Sequence, residues 1–400
     1  MRASNSISAS ALPAVGAPAQ EARKAAWNQT RMSEQQTSET SPQPVALDPV
    51  IEQRILRAMN FEEGDRVPIW DLIDNAYALE HFAVGEEDQL IANAKIYHGL
   101  GIDLCRGFAG SYAASRDGEQ DCDADGVVHG VISGRTRWAV RKPIRSIEEL
   151  KAYEPPPPPT PESLREGWLC QVREAQAVLA PYTMHVPGHG CGFHGTYDMM
   201  GLQLFSYAIH DCPAAVERLI EANNAPGVQI AKIAAEEQLC PLFFIGDDIA
   251  YKQRLMFSPD FLRRTFIRAL RNMCEPLRRA GIKVIFHSDG NVTDVIDGML
   301  DAGISGLNPI EPMAGMDIGL LKRRYGKELI LVGNVDCSQV LPLGTVDEVI
   351  EATKECIRQA SPGGGHFIGS SSEITPSTPL ENILAFYDAC RNYGRYPIRI

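Results

Sequence analysis

Eight short apolar runs, set in alternation with amphipathic stretches, constrain this chain more than any other feature. They read RVPIW (66–70), LGIDLCRGF (100–108), TMHVPG (183–188), PLFFIGDD (241–248), KVIFHSDG (283–290), SGLNPIE (305–311), LILVGNVD (329–336) and GHFIGSSSE (365–373). Each is too short for a core helix and nearly continuous in its apolar part, the pattern of a strand covered on both faces. The stretches between them carry helix signals. Asp48 followed by Pro49, and Ser258 followed by Pro259, pair a cap residue with proline at the first helical position. The second of these opens a helix that runs on to Gly281. Thr345 with Glu348 forms a capping box, and Thr378, Pro379 and Glu381 repeat the arrangement before the last helix. Strands alternating with helices pair in parallel. Eight units over about 350 residues predict an α/β fold, a (β/α)8 TIM barrel, with a doubly wound open sheet as the alternative.

One segment breaks the alternation. GVVHGVISGRTRWAVRKPI (126–144) reads as two β-rich runs joined at Ser133-Gly134, an antiparallel hairpin inserted after strand two. The run EPPPPPT (154–160) behind it is an extended spacer.

Composition excludes several functions. The formal net charge is −13, whereas nucleic-acid binding needs a basic patch and anionic membranes attract basic segments. No apolar run is long enough to span a bilayer. The 10 cysteines are scattered and show no Cys-x-x-Cys pair, as expected of reduced thiols in a cytoplasmic protein. Residues 1–47 are rich in Ala, Ser, Gln and Pro and poor in large apolar side chains. They read as a disordered arm without a signal peptide, and Met32 offers a second start. The barrel domain is expected over 48–400.

In a (β/α)8 barrel the active site lies at the carboxyl ends of the strands. Polar residues recur there: Asp71; Asp103 and Arg106; His189, His194 and Tyr197; Asp247 and Asp248; His287 and Asp289; Asn308 and Glu311; Asn334 and Asp336; Ser370, Ser371, Ser372 and Glu373. Residues i and i+2 of a strand share a face, so His287 and Asp289 project together, and Gly290 permits the turn that follows. Asp103, Asp248, His287 and Glu373 are expected to gather at one rim.

GDDI, SPDFLRRTF, HSDGNV, GMD…LKRRYG, GNVD, GTVDEV and TPLEN occur in the order seen in the uroporphyrinogen decarboxylase superfamily. The chain resembles that superfamily over about residues 50–395. The superfamily is built on a (β/α)8 barrel. It holds porphyrin-pathway decarboxylases, which need no metal, and zinc-dependent methyltransferases that act with corrinoid proteins. The resemblance to the decarboxylases places Asp103 on the strand of the essential aspartate and Tyr197 on the pocket tyrosine. The decarboxylases' Arg-Gln-Ala-Gly-Arg stretch is replaced here by IWDLIDNAYALEHF, and their strand-eight histidine by Ser372. An acid-rich mouth suits an octa-anionic tetrapyrrole poorly.

In the methyltransferases zinc sits on a His-x-Cys pair at strand five and a Cys at strand eight. Here those positions read His287-x-Asp289 and Ser372, with Glu373 alongside. The resemblance therefore implies a metal set of His287, Asp289 and Glu373, harder than thiolate and suited to Zn, Mn or Fe. Cys337 is an alternative thiolate, and His185, His189 and His194 form a further histidine group.

The expected roles follow. Asp103, Tyr197 and His287 are catalytic. Asp71, Arg106, His189, Asp248, Asn334, Asp336 and Ser372 contact a small substrate. The first expectation is metal-dependent methyl transfer between a small substrate and a carrier. Uroporphyrinogen III decarboxylation and a non-catalytic binding barrel are the alternatives. No Asp-x-His-x-x-Gly segment is present, so any corrinoid would ride on a separate protein. A homodimer is implied by resemblance alone.

Overall fold

A computed structural model describes the backbone of residues 46–106, 120–122, 128–133 and 136–400, and the side chains of 46–106 and 141–400. Residues 1–45, which include most of the expected arm and Met32, lie outside the described residues. In chain order the strands are β1 (Trp70–Asp71), β2 (Leu104–Arg106), β3 (Gln120–Cys122), β4 (Val128–Ser133), β5 (Thr136–Arg141), β6 (Met184–Val186) and β7 (Gly188–His189). There follow β8 (Leu242–Gly246), β9 (Ala250–Tyr251), β10 (Arg254–Leu255), β11 (Lys283–His287), β12 (Gly306–Asn308), β13 (Ile330–Val332) and β14 (His366–Phe367).

Parallel pairing joins β1, β2 and β6 in one sheet, and β7, β8, β11, β12, β13 and β14 in another. Within each sheet the strands lie side by side in sequence order. A doubly wound sheet reverses its order at a switch point, and neither sheet does so. β6 and β7 flank Pro187, whose ring removes a ladder donor. β6 pairs with β2 while β7 pairs with β8. A parallel bridge from Ile69 to Ile368 runs beside β1 and β14. The expected hairpin is present between β2 and β6: β4 pairs antiparallel with β5 and with β3, and its turn, 134–135, lies outside the described residues.

Strand alternation sorts the side chains onto two faces. Trp70, Leu104, Val186, Leu242, Ile285, Ile330, Val332 and Phe367 meet Ile55, Ala58 and Met59 of the helix Pro49–Met59 in one buried cluster. Phe243, Val284, Phe286 and Leu331 turn the other way and pack under the helices. Fully burying a side chain such as Phe286 contributes roughly 1.5–3 kcal/mol. The helix Pro49–Met59 starts where Asp48 accepts from the Val50 amide at 2.7 Å. It covers the amino ends of the strands, where the Lys283 ammonium donates to the Met59 carbonyl and the Gly365 amide donates to Ala58 at 3.0 Å.

Two expected helix boundaries change. The helix after Ser258 breaks at Thr265 into Pro259–Arg264 and Phe266–Arg279, with the Thr265 hydroxyl bonded back to the Phe261 carbonyl at 2.8 Å. The last helix, Leu380–Tyr393, has Pro379 at its cap position, so Thr378 turns to Thr375 instead of capping. The capping box of Thr345 and Glu348 forms in both directions. Among the described residues no helix is long and apolar enough to cross a membrane.

Candidate metal and substrate site

β11 pairs in parallel with β8 and β12, so that His287 faces Gly246 on one side and Asn308 on the other. In-register neighbours on parallel strands point to the same face. His287 therefore emerges on the face that holds Ile285, and its Nδ1 lies 2.6 Å from Asn308 Oδ1. An amide oxygen only accepts, so Nδ1 carries the proton and Nε2 presents its lone pair. Burial, reinforced by the Arg106 charge, pushes the His287 imidazole down to about 4, and it is neutral.

Beyond the strand, Asp289 Oδ1 lies 3.7 Å from His287 Nε2. Asp248, just past β8, accepts the Asp289 amide at 2.9 Å. One ligating atom each from Asp248, His287 and Asp289 can be chosen so that all lie within 4.8 Å of one another. Burial, then the fields of Asp248 and Glu311, raise the Asp289 carboxyl to about 7. Gly290 makes the turn at φ +79°, and a Cβ there would meet the Ala250 carbonyl carbon at 2.8 Å, so the hairpin of β9 and β10 packs directly on it.

A second layer holds Asp248. The Tyr197 hydroxyl donates to its carbonyl at 3.0 Å, and His194 stacks on Tyr197 with ring centroids 4.7 Å apart. His194 Nδ1 is 3.5 Å from Asp248 Oδ2 and its Nε2 is 3.1 Å from Asp198 Oδ2. Burial works against charge on His194, but its hydrogen bond to Asp198 and the surrounding carboxylates outweigh that and raise its pKa. Asp247 accepts the amides of Cys191 and His194 and so fixes the loop that carries this histidine.

Arg106, at the end of β2, completes the mouth. Its Cζ lies 5.1 Å from the centroid of Phe244, whose ring is 5.5 Å from that of His287. Its Nη2 donates to the Ser372 carbonyl at 3.2 Å. Burial lowers its pKa, opposed by Glu373, Asp289, Asp71 and Asp248.

Several expected site residues lie elsewhere or are otherwise engaged. Asp103 precedes β2 and sits at the opposite, amino end. It binds Arg54 at 2.6 Å and Arg66 at 2.7 Å and accepts the Ile69 amide at 2.8 Å. The expected gathering therefore holds for His287 and Asp248 but not for Asp103, a correction that follows from the strand starting at Leu104, just after Asp103, instead of at Leu100. Glu373 is outside the Asp248, His287 and Asp289 cluster. Its field reaches both Arg106 and Asp289.

Asp71 is fully buried and accepts from the amide and hydroxyl of Ser370 at 3.0 and 2.7 Å and from the Tyr387 hydroxyl at 2.8 Å. It ties β1 to the last helix, leaving no open face for a substrate. Asp336 caps the turn Val340–Leu343 through the amides of Ser338, Gln339 and Val340. The Asn334 amide donates to the Ile310 carbonyl at 3.0 Å. His189 bonds the Gly190 carbonyl through Nδ1 at 2.8 Å. Cys337 is paired with the Ser371 hydroxyl, and burial raises its thiol pKa, so it offers no thiolate. Among the described residues the histidines His185, His189 and His194 form no metal cluster of their own.

Asn308 and His194 stand among the strand-end polar residues of the sequence, but their roles, holding His287 and packing beside Asp248, do not follow from it. The signal for Asn308 was its place at the end of the neighbouring strand, but the register that aligns it with His287 is a tertiary property.

A parallel α/β protein with a polar cluster just beyond its strand ends is one of a broad class of β/α proteins, and comparison places it more narrowly. The model of the uroporphyrinogen decarboxylase (URO-D) family matches residues 131–393. The chain belongs to that family. A uroporphyrinogen decarboxylase of Coxiella burnetii (strain RSA 493 / Nine Mile phase I) is 32% identical over 78 residues, 20% of this chain and 21% of the relative. The methylcobamide:CoM methyltransferase MtaA of Methanosarcina barkeri is 28% identical over 177 residues, 44% of this chain and 49% of the relative. The matches thus span from about a fifth to about half of these relatives' length. A solved methyltransferase from Methanosarcina mazei superposes over 86% of this chain and 98% of its own, with 21% identity and a TM-score of 0.65, which shows the shared fold.

Proposed function

We propose that this chain is a metal-dependent methyltransferase of the URO-D family, moving a methyl group between a small substrate and a carrier. The observation that carries the reading is the cluster of Asp248, His287 and Asp289, with the His287 Nδ1 proton held by Asn308. A neutral imidazole whose free nitrogen faces two carboxylates fits a divalent ion of the Zn, Mn or Fe type, and the bonded far nitrogen is the usual support of a metal-binding histidine. When bound there, such an ion would supply Lewis-acid activation of the heteroatom at which the methyl group is exchanged.

The other roles belong to the protein. Tyr197 and His194 position Asp248. Arg106 and the Ser372 carbonyl border the space above Phe244 where a small substrate would lie. The match to a methylcobamide:CoM methyltransferase supports methyl transfer, and in this reading the carrier is a separate corrinoid protein. In this reading the two sheets form one closed (β/α)8 barrel over residues 48–400, which acts in the cytoplasm as a homodimer. Metal analysis of protein purified without chelator tests the proposal. A bound divalent ion lost in His287→Ala is the expected result, and a metal-free protein whose melting ignores added zinc, manganese and iron would sink it.

Decarboxylation of uroporphyrinogen III is the second reading, favoured by the local match to the Coxiella enzyme. Arg106 would then hold a substrate carboxylate. Formation of coproporphyrinogen in a direct assay distinguishes the two.

A further inference from the structure

Arg106 is the unusual group in this mouth. A guanidinium that is half-buried or more ordinarily has a carboxylate against it, because an unpaired charge loses hydration without compensation. Arg54 and Arg66, at the other end of the sheet, follow that rule with Asp65 and Asp103. Arg106 does not: among the described residues it forms no ion pair, its one hydrogen bond goes to the Ser372 carbonyl, and its buried Nε has no partner. Four carboxylates, those of Glu373, Asp289, Asp71 and Asp248, stabilise its charge from a distance, yet Asp71 is occupied by Ser370 and Tyr387 and Asp248 by the Asp289 amide.

The Nη–H donors at the open end of an arginine form a planar, fork-like pair that matches the two oxygens of a carboxylate. The fork lies over Phe244, and the same ring packs against His287. A ligand seated on Phe244 therefore reaches the arginine at one end and the metal-ligand cluster at the other.

We infer that Arg106 is the specificity residue for an anionic substrate: a small organic molecule that places a carboxylate on the Arg106 fork and its methyl-bearing heteroatom toward Asp248, His287 and Asp289. The inference rests on the reading of this mouth as a substrate site and narrows it, since a methylammonium compound would meet the guanidinium as a like charge. The apolar Phe244 face between the two ends takes the substrate's short carbon chain.

The test uses the full chain, stripped of metal and then loaded with zinc, with methoxyacetate and its neutral isostere methoxyacetamide as probes in calorimetry near neutral pH. In both forms the wild type should bind methoxyacetate at least about ten-fold more tightly than the amide, and Arg106→Gln should reduce that preference to about two-fold or less. Arg106→Lys, which keeps the charge but loses the fork, should fall between them. Zinc, read by chelator competition, should still bind Arg106→Gln, because the three proposed ligands remain in place. Because Arg106 has no direct ion pair among the described residues, Arg106→Gln should fold, with a melting temperature close to that of the wild type. Equal binding of the two probes by the wild type, a preference that survives in Arg106→Gln, or a variant that fails to fold would each overturn the inference. Loss of zinc binding with the anion preference intact would instead count against metal-dependent methyl transfer and leave the role of Arg106 standing.

Discussion

His287 and Asn308 are paired residues of adjacent parallel strands, and the register that pairs them also brings imidazole Nδ1 to within 2.6 Å of the amide oxygen. The sheet itself thus decides which histidine nitrogen is free. Asn308→Leu should keep the strand but release the ring. Zinc affinity should fall about 10- to 100-fold, the usual cost of removing such a support, as read by chelator competition. An unchanged affinity would mean that Asn308 does not orient the ligand.

Asp248, which the fold adds to the cluster, and Glu373, which the sequence grouped with the metal, can be separated. Asp248→Ala should weaken zinc binding at least as much as the Asn308 change, because it removes a proposed ligand. Glu373→Ala should leave zinc affinity within about two-fold, since Glu373 lies outside the cluster. The same chelator competition reads both, and a reversed order would restore the set expected from sequence.

Asp103→Asn separates folding from function. The buried carboxylate satisfies Arg54 and Arg66 together. Removing one partner of such a network typically costs about 3–5 kcal/mol, which urea unfolding would register. Zinc affinity of the folded fraction should not change, because Asp103 lies at the amino end of β2. A catalytic role would show the opposite pattern.

Asp71 predicts a pH dependence of stability. Burial raises its carboxyl from 3.8 to about 6 despite the hydroxyls and amides that bond it. The folded state therefore holds the proton more tightly than the unfolded chain. The stability this contributes is complete below pH 3.8 and is lost as the pH rises through about 6. The span is worth up to about 3 kcal/mol. Asp71→Asn should be less stable at low pH, where it lacks an acceptor for Ser370 or Tyr387. The difference from wild type should shrink between about pH 4 and pH 7. A difference independent of pH would show that Asp71 is not the titrating group.

Much of this architecture is written locally. Capping at Asp48, Ser258 and Thr345 follows from neighbouring residues, and the alternation of strand and helix follows from hydrophobic patterning. The histidine and aspartate two apart at the end of β11 were legible because strand geometry has a fixed period. Asp103 was misplaced because the start of a strand depends on pairing: β2 begins at Leu104, where it pairs with Trp70 and Met184, and leaves Asp103 to the arginines of the opposite end. Thr378 was misplaced by a single residue for a related reason, since Pro379 takes the cap position. Asp71 and Asp336 read as open acids because their hydrogen-bond partners, Tyr387 and the turn after Asp336, become neighbours only through folding.

β11 anchors the helix Pro49–Met59 at Lys283 and presents His287 at its other end, within five residues. A displacement of this ribbon by one position would turn Ile285 and His287 toward the outer helices and bring Val284 and Phe286 inward, because side chains alternate. The lysine on the floor therefore works as a stop against sliding: by fixing where the ribbon begins, it fixes which atoms the opposite rim displays.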